Sequence, residues 1–409
     1  LQRVNCLYHL EDTAPSLFVD HQCDPSQFPR KVTKVLRGHD DEVWLLTFSH
    51  NGAFLASGSK DSSIIIWDVE NGVMLHELKG HRMAIASLVW SPDDMYLLSG
   101  SHDHDVRLWH VAAGTCQEVM NLHTQPTTAC AWFPDSERFL TAGQDCCIYT
   151  WNIQGTRLSM INAPRVHDMA LDAEHNLLYV GCNEDKLYVY NVDTGAELYT
   201  IDLQAQVTSL TLLPNDSNLL LVSLMKRGMQ LWDMEHRQVV QSYKRQFQGR
   251  YILRPTLAGA DSLYIACGDQ DGGVYIWNRF TGQLKERLVG HRRTVNVVTW
   301  NPVNGRMFAT ASDDQTIRLW GPAKRDSAAG GPSSRSHETL DPNSSQESQT
   351  GEGARPRDDD DVSPATFDVG AHPAMRLWWD GQSYGMWRHE ARDKPVAARF
   401  ALVTPRGAE

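Results

Sequence analysis

Seven times along this chain a tryptophan or tyrosine closes a short apolar run and is followed by Asp, Asn, His or Gly. The pairs are Trp67-Asp68, Trp109-His110, Trp151-Asn152, Tyr190-Asn191, Trp232-Asp233, Trp277-Asn278 and Trp320-Gly321. Successive aromatics stand 42, 42, 39, 42, 45 and 43 residues apart. A period of that length constrains the fold more than any local signal. The chain must be an array of similar supersecondary units, each unable to bury its apolar face alone and stable only against its neighbours.

The first unit shows what repeats. Gly38-His39 precedes an apolar run over 43–48, the expected inner strand, and Asn51-Gly52 is a turn signal. A second strand is expected over 55–59, then a turn at Lys60-Asp61, then the β-branched third strand 64–67. Asn71-Gly72 turns into an outer strand over 74–78, and Gly80-His81 opens the next unit. Seven such four-stranded units predict an all-β, seven-bladed β-propeller over residues 31–322.

A second pattern lies inside the repeats. His39, Ser57, Asp61 and Trp67 are spaced 18, 4 and 6 residues apart. His81, Ser99, Asp103 and Trp109 repeat those intervals, as do His123, Thr141, Asp145 and Trp151. His291, Thr310, Asp314 and Trp320 differ by one residue in the first interval. An indole N–H, a hydroxyl, an imidazole and a carboxylate can satisfy one another inside a blade. The set resembles the hydrogen-bonded tetrad of WD-repeat proteins, and the match covers 31–322. His, Asp and Ser also suggest a catalytic triad. An active site occurs once, however, whereas this constellation recurs from blade to blade, so the tetrads read as structural and the chain as no enzyme.

Blades four to six depart from the pattern. Blade four has Val180, Glu184 and Tyr190 at the hydroxyl, carboxylate and aromatic positions; blade five has Val222 and Lys226; blade six keeps Asp271 but has Cys267. These blades are expected to be held by apolar packing without the polar network, either through drift or through adaptation to a partner.

Blade seven ends at Trp320-Gly321-Pro322 with no outer strand after it. The missing strand is expected upstream, because residues 31–39 (KVTKVLRGH) resemble 283–291 (QLKERLVGH). Residues 31–37 should pair with the third strand of blade seven and remove an open sheet edge.

Composition excludes other classes. A formal net charge of −12 argues against phosphate-driven nucleic-acid binding. Eight cysteines include no CxxC pair, and Cys146 and Cys147 are adjacent, which suits a reduced intracellular protein. The 17 histidines are scattered, and His102 with His104 supplies only two ligands, so no metal or cofactor is expected. No apolar run approaches the roughly 20 residues that span a bilayer. The chain begins at Leu1 and is expected to be part of a longer protein.

Residues 1–30 read as the end of a helical region followed by an extended arm with Pro15, Pro25 and Pro29. Residues 323–364, with Asp358 to Asp361, read as a disordered acidic linker. Residues 365–409 cluster Trp378, Trp379, Tyr384 and Trp387 and are left unassigned, as a docking motif, a packing patch or a gene-model error.

A narrower resemblance covers nearly all of residues 1–323. Segments 1–9 (LQRVNCLYH), 19–23 (VDHQC) and 27–29 (QFP) resemble the junction between helical region and propeller in the WD-repeat subunit of the glucose-induced-degradation (GID, or CTLH) E3 ubiquitin ligase. Further matches are 42–44 (EVW), 58–61 (GSKD), 90–94 (WSPDD), 228–233 (GMQLWD) and 293–322. The resemblance implies a non-catalytic subunit, cytoplasmic or nuclear, that recruits substrates or regulators to ligase scaffold and RING subunits. It also implies LisH and CTLH helices upstream, outside this sequence, through which a homodimer would form. The tail after Pro322 departs from the family, whose chains end soon after blade seven. The alternative is a generic WD-repeat scaffold in signalling or RNA processing, or a cullin-four substrate receptor. The Trp-Asp-x-Arg mark of such receptors is missing, since Trp67-Asp68 runs into Val69-Glu70 and Trp232-Asp233 into Met234-Glu235.

Partners are expected on the narrower face, where the Gly-His loops and Asp turns emerge. The residues before each turn Asp are Lys60, His102, Gln144, Gln270 and Asp313; those flanking the inner-strand Val are Glu42, Trp44, Thr294 and Asn296; Arg82, Arg292 and Arg293 follow the Gly-His pairs. All are read as candidate contacts, with Trp44 as the anchor. A solvated polar rim is the plainer reading of each, and Trp44 could instead be buried between blades.

Overall fold

A computed structural model describes residues 25–214, 216–243, 253–259 and 262–322, together with the backbone of the strands Met375–Trp379 and Tyr384–Arg388. The expected helical end within residues 1–24 and the acidic linker 323–364 lie outside the described residues. The chain divides into two compact units, Leu1–Ala328 and Ala329–Glu409. In the second, Met375–Trp379 pairs antiparallel with Tyr384–Arg388, so Trp378, Trp379, Tyr384 and Trp387 all belong to one two-stranded sheet.

The first unit is a seven-bladed propeller of four-stranded antiparallel sheets. Blade one runs Val43–Phe48, Phe54–Ser59, Ile64–Asp68 and Val73–Leu78, from inside to outside. Its third strand shows why these residues form strands. Ile64, Ile65 and Ile66 are all fully buried. Successive side chains on a strand point to opposite faces. Ile64 and Ile66 therefore pack in the seam toward blade two with Leu88 and Leu97, while Ile65 and Trp67 pack toward blade seven with Ala309 and Leu319. The same division holds round the ring: each of the seven apolar clusters lies between two neighbouring blades. The core is thus made between units, which is why no single unit is a folded body.

Residues 31–37 close the ring. The strand Lys31–Arg37 pairs antiparallel with Thr316–Gly321, from Lys31 opposite Gly321 to Arg37 opposite Thr316. Its Leu36 is buried in the seam between blades seven and one. The residues before it are also fixed. Phe28 is 1% exposed and meets Tyr264 edge-on at 5.7 Å, with Trp300 at 6.4 Å. Arg30 pairs with Glu286 of blade six at 2.6 Å. The described end of the N-terminal arm is therefore wedged into the seam between blades six and seven.

Six inner strands carry a register shift at the same place, between Val43 and Leu45, Ile85 and Ser87, Thr127 and Ala129, Val166 and Asp168, Val207 and Ser209, and Val295 and Val297. A bulge re-aims the extra residue. Blade six differs: its inner strand is only Thr256–Ala258, and Arg254 ahead of it bridges in parallel to Val297 of blade seven.

Candidate functional site

The loops of the candidate face are set by the tetrads. In blade one, Trp67 Nε1 donates to Ser57 Oγ at 2.9 Å, Ser57 meets His39 Nε2 at 2.7 Å, and His39 Nδ1 meets Asp61 at 3.0 Å. The same chain links Trp109, Ser99, His81 and Asp103 at 2.8, 2.8 and 3.0 Å. It links Trp151, Thr141, His123 and Asp145 at 2.8, 2.9 and 2.9 Å. In blade seven, Trp320, Thr310, His291 and Asp314 follow at 2.9, 2.7 and 3.0 Å. An indole can only donate and a carboxylate only accept, so the proton order runs from Trp to hydroxyl to imidazole to Asp.

Each Asp also holds the loop beneath it. Asp61, Asp103, Asp145 and Asp314 accept the backbone N–H of Asp40, Arg82, Thr124 and Arg292. Burial pushes the carboxyls of Asp61, Asp103 and Asp314 up, but the hydrogen bonds from the histidines and loop groups outweigh it. They hold all three well below the usual carboxylate range. Burial pulls His123 below the ordinary imidazole value, against the Asp145 charge. Every tetrad hydroxyl is hydrogen-bonded on both sides and shut from solvent.

Blades four to six are packed through apolar seams, as expected, and they also carry polar links of another kind. Asp168, on the inner strand of blade four, accepts Leu210 N–H of blade five at 2.9 Å and lies 3.7 Å from Arg254. Burial raises its carboxyl, opposed by the Arg254 charge and by bonds from Leu210, Met169 and Ser209. Tyr188 donates to Glu184 in blade four, and Trp232 to Gln230 in blade five at 3.1 Å. Bonds inside single blades are partly replaced here by bonds between them.

The expected contact residues divide into three groups. Lys60, Arg82, Arg292 and Arg293 are exposed. Lys60 pairs with Glu42 at 3.3 Å and Asp41 at 3.6 Å, and Arg82 faces Asp105 at 3.5 Å. Glu42, Trp44, His102, Gln144, Gln270 and Asp313 are half-buried. Trp44 Nε1 donates to Glu42 at 2.9 Å, and the ring lies against His102 with centroids 5.8 Å apart. Burial lowers the His102 imidazole.

Thr294 and Asn296 do not reach the face: they are 7% and 9% exposed. The inner-strand bulge turns Asn296 toward its neighbour, where Nδ2 donates to Val43 O at 2.9 Å and Asp313 Oδ1 at 2.7 Å. Thr294 O accepts Asp313 N–H at 3.0 Å. Asn296 thus ties blade seven to blade one, while Thr294 braces the turn of its own blade. Sequence reasoning also passed over Met83, which is 53% exposed in the loop after His81. Its signal was a long apolar side chain in a loop, two residues beyond a Gly-His pair.

Residues 29–278 match a family profile described as IFT122 first beta-propeller, and residues 282–321 match that of the WD domain, G-beta repeat. The chain belongs to the WD40 β-propeller family. Proteins of this WD40 family mediate protein interactions. Its relatives include a WD repeat-containing protein 26 homolog of Arabidopsis thaliana, 35% identical over 78% of this chain and 56% of its own length. GID complex subunit 7 of Schizosaccharomyces pombe is 36% identical over 75% of this chain and 61% of its own length. A WD repeat-containing protein 26 homolog of Drosophila melanogaster is 31% identical over 77% and 51%. The chain therefore spans little more than half the length of these relatives. No helix among its described residues is long and apolar enough to cross a membrane.

Proposed function

We propose that this WD40 propeller is a non-catalytic interaction subunit of the GID/CTLH ubiquitin ligase, recruiting substrates or regulators through its tetrad face. The observation that carries this reading is the 36% identity to GID complex subunit 7 over three quarters of the chain. The site supports a binding role over a catalytic one. Its titratable groups are spent on one another in four repeated networks, and what remains exposed is a set of loops on a rigid frame. A homodimer formed through helices upstream, and a cytoplasmic or nuclear location, belong to the same proposal.

The test is affinity purification of the tagged full-length protein from its own cells, followed by mass spectrometry. Scaffold and RING subunits of the ligase should accompany it in near-stoichiometric amounts. Their absence, with a different stable complex in their place, would sink the ligase reading and favour a generic scaffold.

A further inference from the structure

The tetrad face is not uniform. Among the described residues, large exposed apolar side chains fall mostly on outer strands, such as Val73, Leu158 and Val240. Phe280 and Val303 lie on loops of the opposite face. On the tetrad face itself there are two, Met83 at 53% and Leu122 at 44%, in the loops that open blades two and three. Met83 adjoins the blade-two turn, since Ser101 Oγ donates to Met83 O at 3.0 Å and His102 N–H to Ala84 O. His102 in turn lies against the Trp44 ring. Trp44 and His102 thus stack across the seam between blades one and two, and Met83 stands exposed on the loop bonded to the His102 turn. The Trp44 indole is held by Glu42, so little ordering is left for a partner to impose.

Charge around this surface is mixed, with Asp40 and Asp41 on the blade-one loop and Asp41 facing Lys60, but the carboxylates nearest the blade-two loop are engaged. Asp103 and Asp145 are occupied by tetrad histidines, and Glu42 by Trp44 and Lys60. Asp105 is nearly buried and shared between Arg82 and Arg107. Arg82 keeps 76% of its side chain exposed, with its carboxylate partner at 3.5 Å. A contact that long and that wet leaves the guanidinium open to a second carboxylate.

We propose that the sector of blades one to three is the receptor, and that it takes a short protein segment in which a bulky apolar residue stands beside an acidic one. The apolar side chain covers Trp44, His102 and Met83, and the carboxylate pairs with Arg82. The inference rests on the tetrad face being the contact surface and adds the chemistry of the partner.

The probe is a displayed library of short random peptides, selected on the whole chain. Enriched sequences should carry Phe, Leu, Met or Trp next to Asp or Glu. A fluorescein-labelled representative should lose roughly ten-fold or more in affinity with Met83→Ser and with Arg82→Glu. Its affinity should be unchanged by Lys226→Glu on the far arc. A copy with lysines for its carboxylates should recover binding to Arg82→Glu. Both surface variants should melt with the parent protein, so that lost binding is not lost folding. Enrichment of basic sequences, no enrichment at all, or a binder indifferent to Met83→Ser and Arg82→Glu would overturn the proposal. If peptides behave as expected while no ligase scaffold co-purifies, only the ligase assignment falls. If the scaffold co-purifies and the peptide results fail, only this inference does.

Discussion

Arg254 Nη1 lies 3.7 Å from the Asp168 carboxylate, joining blade six to blade four, while its Nη2 donates to Ala86 O of blade two at 3.2 Å. A side chain that meets blades two and four from blade six must cross the middle of the ring. It is a strut where the inner strand of blade six is shortest. Replacing Arg254 by Met should leave Asp168 buried without its counter-charge and cost about 3 kcal/mol. The sign with pH follows. Burial already raises the folded Asp168 carboxyl, and loss of the cation raises it further. The folded state then binds the extra proton, so the variant regains stability as pH falls from 7 toward 5. Urea melts at both pH values, with Asp168→Asn/Arg254→Met as the compensated pair, would measure this. An equal loss at both would show that the strut carries no charge coupling.

The tetrads predict a contrast between blades. Asp103→Ala removes the acceptor of His81 and of Arg82 N–H and should cost about 1–3 kcal/mol. Lys226→Ala occupies the corresponding turn of blade five, is exposed, and should change stability by less than about 0.5 kcal/mol. Equal shifts in thermal melts would remove the argument that the polar network stabilises its blade.

Stability should fall in two steps on acidification. The folded His123 is depressed below its ordinary value, so its contribution is complete above about pH 6.5 and declines as pH drops below that, where the unfolded imidazole takes a proton first. Asp61, Asp103 and Asp314 are depressed as well, and their contribution is lost only below about pH 4, as pH falls toward their folded values. Urea midpoints from pH 7.5 to 3 should show both steps, and His123→Asn should flatten the first. A first step of unchanged size in His123→Asn would contradict the burial of a neutral histidine.

The latch predicts two graded losses. Phe28→Ala should cost about 3 kcal/mol through the cavity left against Tyr264 and Trp300, and hydrogen exchange should quicken along Lys31–Arg37. Deleting residues 31–37 should do more, exposing the edge of Thr316–Gly321 to other chains. A soluble, monodisperse deletion with the parental melt would mean the ring does not depend on closure.

Trp44→Ala combined with His102→Ala should abolish capture of protein partners. Trp44 packs on the apolar seam of blades one and two but is only half-buried, so the stability cost should stay near 1–2 kcal/mol, a few degrees in melting temperature. Retained partner capture by the folded double variant would place the contact elsewhere on the ring.

The periodic Trp and Tyr residues, the tetrads and the returning strand 31–37 were all legible in the sequence, and the physical reason is chemical necessity. A buried indole N–H needs a hydroxyl, and that hydroxyl an imidazole, so residue identity at fixed spacing encodes the contact. The unbroken β-branched run Ile64, Ile65 and Ile66 likewise reads as a buried strand, and all three are fully buried. What only the tertiary structure decided is contact between residues with no fixed spacing. Asn296 reads as an exposed loop-edge polar residue, yet a bulge turns it onto Val43 O of the neighbouring blade. Phe28 sits in a stretch that reads as a linker, yet it fills a gap between aromatic side chains of blades six and seven. Arg254 and Asp168 meet because the ring closes and brings blades two, four and six to one axis. Periodicity fixes which unit a residue belongs to, whereas closure of the ring determines which other unit it touches.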